Sequence, residues 1–277
     1  MVKAAIAGLR THRVGLGREA RHHTIEPFLY EYAMKQAIER DPNLAAAYLA
    51  LGGLPNINKA IELLPQFAGG YRARADCHLF TDDHKLAEAD YSKAIELLAG
   101  KQSHRLEVDG MVYELNPAEY LAPMYRYRAM ARLMQGKHEL IADDMDKALA
   151  EVNNRESVMG SYYLLQLAWI ACVHPDAKIR NAEFARKLIA KAEDYESKLS
   201  QDEKRTGSIS LWHRVEIVKA AWAAETGDFK KAVELESSVK FGSSQSGVTE
   251  GRHEFRLNSY QGGRPLRTKD HWYLPSD

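Results

Sequence analysis

Histidines, cysteines and paired aspartates are the residues here whose types could do chemistry. The chain holds eleven histidines and two cysteines. A metal site needs three or four such groups converging on one point. His22 and His23 are adjacent, so from a helix their side chains cannot converge on one ion. His78 and His84 flank a turn between two helical stretches, which suits packing. His174 precedes Pro175 at an expected helix C-terminus, where a partial positive charge is stabilising. Cys77 and Cys172 sit in helical apolar patterns and read as buried structural thiols. They are too few and too far apart for a disulfide framework or a four-thiolate zinc site. Asp82-Asp83 and Asp143-Asp144 fit turn and helix-surface roles. No HExxH, GxSxG, Walker-type loop, GxGxxG or paired CxxC occurs. The expectation is no catalytic residue, no metal and no cofactor.

Charge and length exclude further classes. In 277 residues, 38 basic side chains balance 38 acidic ones. That lacks the basic excess that drives phosphate binding, so a nucleic-acid partner is not expected. Uninterrupted apolar runs fall far short of the roughly 20 residues of a membrane span. The N-terminal run AAIAGL is short for a secretory signal core and arginines follow it at once. A cytoplasmic protein is the expectation, with residues 1–26 as a tail or truncated helix.

Something must position what remains, and an internal repeat supplies it. YRARADCHL (Tyr71 to Leu79) and YRYRAMARL (Tyr125 to Leu133) share Tyr, Arg, Arg, Ala and Leu in register, 54 residues apart. DYSKAIEL from Asp90 matches DMDKALAE from Asp144 at the same offset. Ala75, Ala87, Tyr91 and Ala94 in one copy correspond to Ala129, Ile141, Met145 and Ala148 in the other. Thr81-Asp82-Asp83 and Gln135-Gly136-Lys137 break the two helical stretches. Small residues at these positions let two antiparallel helices approach closely. Each unit is a helical hairpin of about 34 residues.

This spacing resembles the tetratricopeptide repeat family. The same grammar returns in AAWAAETGDFKKAVELESSV (220–239), with Ala220 and Ala232 at the small positions. EYAMKQAIERDP and NKAIELLP place Pro42 and Pro65 five residues after an alanine, as that family does at a helix end. AAAYLALGG from Ala45 reads as a first helix about three turns short of a full unit. LAWIACVHPDAKIRNAEFARKLIAKA (Leu167 to Ala192) and RLNSYQGGRP-x-R (Arg256 to Arg267) are similar to segments of bacterial, planctomycete-type members. Glu216 and Glu236 depart from the pattern, standing where bulky apolar groups are usual. The resemblance spans about residues 28–267. It implies an all-α, right-handed α-solenoid of helical hairpins. The units fall at 27–67 (degenerate), 68–98, 122–155, 156–200 and 207–241. A capping helix near 247–261 and an extended, poorly self-supporting tail complete 242–277.

The 54-residue offset exceeds one unit by about 20 residues, and the surplus falls at 99–121. Arg105-Leu-Glu-Val, Asp109-Gly110 and Met111-Val-Tyr-Glu-Leu form a β-hairpin pattern around a tight turn. A lone two-stranded hairpin is barely stable in water, so it must pack on the helices or on a partner.

By the family's geometry the first helix of each unit lines a groove. That selects Arg72, Asp76, Leu79 and Phe80, then Arg126, Met130, Leu133 and Met134. Two cations among adaptable apolar side chains suit an extended or helical segment with apolar anchors and a carboxylate. The Lys-Asn pattern of carboxylate-holding co-chaperones of the family is absent. The expected function is non-catalytic protein or peptide binding, as a scaffold. The alternative is an accessory or regulatory domain of a larger or exported protein, with an enzyme third.

Overall fold

Alanine and glycine set the helix contacts in the computed structural model, which describes residues 27–101, 103–108, 111–151, 157–198, 210–239 and 247–268. The stretch 1–26, with His22 and His23, lies outside the described residues, as do Asp109 and Gly110. What is described is mostly helix with one small antiparallel sheet. The chain divides into two compact units, Met1–Arg132 and Leu133–Asp277.

The first unit runs α1 (Pro27–Arg40), α2 (Ala45–Leu51), α3 (Leu54–Leu63), α4 (Ala68–Phe80), α5 (His84–Leu98), β1 (His104–Val108), β2 (Met111–Leu115) and α6 (Pro117–Leu133, whose last residue opens the second unit). From α1 to α5 each helix packs on the next. A Cβ on Gly70 would lie 2.9 Å from Ile61 Cγ1, so the missing side chain lets α4 close on α3. Ala75, Ala87 and Ala94 are fully buried between α4 and α5, with Tyr91 beside them. In the turn between these helices Asp82 takes a positive φ of 61°. Asp83 then caps α5, its carboxylate accepting from the Leu86 N–H at 3.4 Å. Gly136 (φ 73°) and Gly227 (φ 87°) hold the same place in the later turns.

Overpacking tests this register. Ala94 and Ala148 are at most 1% exposed. Ala94→Leu or Ala148→Leu adds methylenes where none fit and costs about 1–3 kcal/mol. Thermal unfolding checks it, and unchanged stability in both variants counts against the register.

The hairpin lies inside the first unit and packs against its short segment. Register pairs His104 with Leu115 and Leu106 with Tyr113. His104, Tyr113 and Leu115 are buried, while Arg105 and Glu107 face solvent. Helix α2 has only seven residues and no side-chain cap. The Tyr113 hydroxyl accepts from its Ala46 N–H at 3.3 Å. Helix α4 also lacks a side-chain cap. His104 Nε2 accepts from its Ala68 N–H at 3.1 Å. The insert thus supplies, across the chain, the acceptors that two helix N-termini leave unmet.

One boundary moves. Helix α6 begins at Pro117, inside the segment 99–121 read as insert. Proline at the first helical position and an Asn116–Glu119 side-chain hydrogen bond of 2.9 Å start the helix early.

The second unit holds a 3-10 turn (His138–Leu140), α7 (Ile141–Glu151), α8 (Ser157–Val173), α9 (Ala182–Lys198), α10 (Ser210–Glu225), α11 (Phe229–Ser238) and α12 (Gly247–Gln261). Helix α8 packs on both α9 and α10, and α11 packs on α10 and α12. Ile141, Met145, Ala148, Ala220 and Ala232 are buried at the repeat positions. Glu236 is explained by a residue of the closing motif. Its Oε1 accepts from Arg256 Nε and pairs with His253 Nδ1, both at 2.8 Å. Arg180 and Arg267 likewise share Glu225, at 3.0 and 2.7 Å. Leu266 is buried and the Thr268 N–H donates to the Val173 carbonyl at 3.1 Å. The stretch 262–268, expected to be poorly self-supporting, is therefore tied down. Among the described residues no helix is long and apolar enough to cross a membrane.

Candidate functional site

Four-residue spacing places Arg72, Asp76 and Phe80 on one stripe of α4. Phe80 is 90% exposed at the helix end. Arg72 stands 3.8 Å from Asp76 Oδ2, past hydrogen-bonding range. Its Nε is buried with no acceptor. The Arg72 guanidinium lies 4.9 Å from the centre of the Tyr120 ring, on α6. Asp76 accepts a 2.6 Å hydrogen bond from the Tyr91 hydroxyl of α5. Behind it Tyr91 stacks on Tyr127 at 5.9 Å, and Arg126 lies 4.1 Å over the Tyr127 ring. Three helices of one unit thus bring together two arginines, one carboxylate and three tyrosines.

The electrostatics follow from that setting. Desolvation raises the Asp76 pKa, against the opposing pull of the Tyr91 hydroxyl, Arg72 and Arg126. Yet nearly half of its side chain (46%) is open to water. The carboxylate is thus both hydrogen-bonded and wet. Burial pushes the Tyr91 phenol far up, and the neighbouring Asp76 carboxylate adds to it. Tyr91 therefore stays protonated and donates to Asp76 throughout the physiological range.

The remaining sequence-selected residues fall elsewhere. Leu79, Met130 and Leu133 are buried, at 5%, 3% and 0% exposure, so they offer a ligand no surface. Leu79 lies four residues from Ala75 and turns into the α4–α5 contact. Met130 holds the place that Asp76 holds one repeat earlier. An apolar side chain gains by burial there, where a carboxylate must keep its water. Met134 follows α6 in the second unit and is half-buried. Sequence reasoning missed Tyr120, which fell inside the stretch assigned to the insert. Pro117 as a helix start was the signal that could have recovered it.

The histidines and cysteines have the following surroundings. His78 lies 3.9 Å from Asp90, which Arg74 holds with two hydrogen bonds of 2.7 and 2.8 Å. His84 lies 3.8 Å from Asp82. Nδ1 of His174 accepts from the Asp176 N–H at 3.0 Å, shaping the loop after α8. Burial raises the Cys77 thiol and drives the Cys172 thiol well above its ordinary value, so neither is a ready thiolate. Among the described residues no group of three or more His, Cys, Asp or Glu side chains could hold a metal ion. Set against known proteins, the chain matches no protein-family model and no curated protein.

Proposed function

We propose that the chain is a right-handed α-solenoid of the tetratricopeptide class that binds a protein or peptide segment and performs no chemistry on it. The observation that carries this reading is the open stripe of α4. An arginine with a buried, unmatched Nε, a wet carboxylate and a bare phenyl stand side by side. Asp76 and Arg72 also have contacts within the fold, and each element of the stripe has a use in recognition. The guanidinium suits a carboxylate, and Phe80 suits an apolar side chain. Buried small residues at a constant offset and recurring left-handed turn positions support the repeat class. With 38 basic residues balanced by 38 acidic ones, the chain has no basic excess to draw a nucleic acid.

Arg72→Glu combined with Arg126→Glu is the test. Both side chains lie on the proposed face, so circular dichroism should report an intact fold. Affinity for an acidic partner, identified by affinity purification and titrated by calorimetry, should fall about tenfold or more, at least about 1.4 kcal/mol. Unchanged affinity removes the groove assignment.

A further inference from the structure

The hairpin β1–β2 holds the first turn of α4 through an imidazole, that of His104. His104 is 3% exposed and stacks on Phe67 at 5.8 Å, with the rings 17° apart. Its Nε2 accepts the Ala68 N–H, which is possible only while that nitrogen carries no proton. A second proton on the ring would abolish this acceptor. It would also set a full positive charge against the positive end of α4.

We propose that the hairpin is a pH-controlled latch on α4, docked while His104 is neutral and released when the imidazole is protonated. The groups around His104 agree in direction. Lys101, just before β1, opposes protonation, as burial does more strongly, and only the Gln66 backbone favours it. Phe67 and Ala68 at the start of α4 and Leu115 across the sheet also meet it. None of these three titrates. Tyr113, the hairpin's other anchor, bonds to Ala46 through its phenol and does not change charge in acid.

Linkage fixes the sign. The docked imidazole has its pKa below the ordinary 6.5. Docking is therefore complete above about pH 6.5 and weakens as pH falls. The loss is about tenfold per pH unit between 6.5 and the docked value. The device differs from general acid unfolding because it is local. Helix α5 has its own cap at Asp83 and does not depend on the insert.

Hydrogen exchange by mass spectrometry tests this on the whole chain, with rates corrected for the intrinsic effect of pH. Between pH 7.5 and 5.0, protection of 104–108, 111–115 and the first turn of α4 should fall. Residues 87–98 of α5 should keep theirs. His104→Gln keeps an acceptor oxygen and does not titrate, so its protection should be independent of pH. Lys101→Glu, at an exposed site, eases protonation in the docked state and should lessen the loss. Undiminished protection in the unmodified chain at pH 5.0 overturns the latch. So does an equal loss in His104→Gln, or a loss that Lys101→Glu leaves unaltered.

Discussion

Arg256→Met should lower the stability of the C-terminal unit by about 3–5 kcal/mol, the cost of stranding one member of a buried ion pair. Glu236 has no exposed side-chain surface, and the Arg256 side chain is only 5% exposed. The carboxylate left behind would keep His253 as a neighbour at 2.8 Å, but it would lose its permanent cation. Removing both charges should be far milder. The pair Glu236→Leu with Arg256→Met should recover most of the loss, because two apolar side chains need no compensation. Urea unfolding followed by tryptophan fluorescence reads this half of the chain, since all four tryptophans follow Arg132 in the sequence. A single-variant loss under about 1 kcal/mol would mean that Glu236 reaches water when its arginine is gone.

Phe67→Ala should cost about 3–5 kcal/mol in the N-terminal unit, within the usual range for a buried aromatic. Phe67 is 1% exposed and forms the surface on which the hairpin rests. Its ring stacks on His104 and meets Tyr113 edge-on at 5.5 Å. A Cβ on Gly69 would lie 2.5 Å from this ring, so α4 is also fitted to it. Removing the ring leaves a cavity and takes away the hairpin's stacking partner. Far-UV circular dichroism in urea measures the cost, and hydrogen exchange at 111–115 should rise with it. A small cost with the hairpin still protected would show that the insert docks through its polar anchors alone.

Both variants probe contacts that local residue patterns reach only in part. The alternation around Asp109-Gly110 places strands correctly, because a hairpin is local and its turn chemistry lies in adjacent residues. Its landing site is not local. Tyr113 meets Ala46 and His104 meets Ala68 across 67 and 36 residues, and no periodicity records such a pairing. The shortened stretch after Ala45 and the surplus at 99–121 are two separate irregularities along the chain. In the fold one answers the other, since the insert supplies an acceptor to the N-terminus of the short α2 and another to that of α4. Glu236 is similar. It departs unfavourably from an apolar pattern, and α12 resolves this by bringing Arg256 and His253 to it.

The candidate site divides in the same way. Arg72, Asp76 and Phe80 follow from spacing on one helix, and the stripe they form needs only the helical period. Met130 shares its repeat position with Asp76, yet it is buried where Asp76 is wet, because burial depends on neighbours as well as register. Tyr120 became visible only when α6 proved to start at Pro117.

By itself, then, the order of residues determined the helical class, the small-residue contacts and the turns, all of which are short-range steric and hydrogen-bonding preferences repeated at a constant offset. Only the tertiary structure decided which polar groups found partners. It paired Glu236 with Arg256, set Arg72 over Tyr120 and gave two helix ends to the hairpin. Those choices depend on the free energy of bringing distant segments together, which no single segment carries.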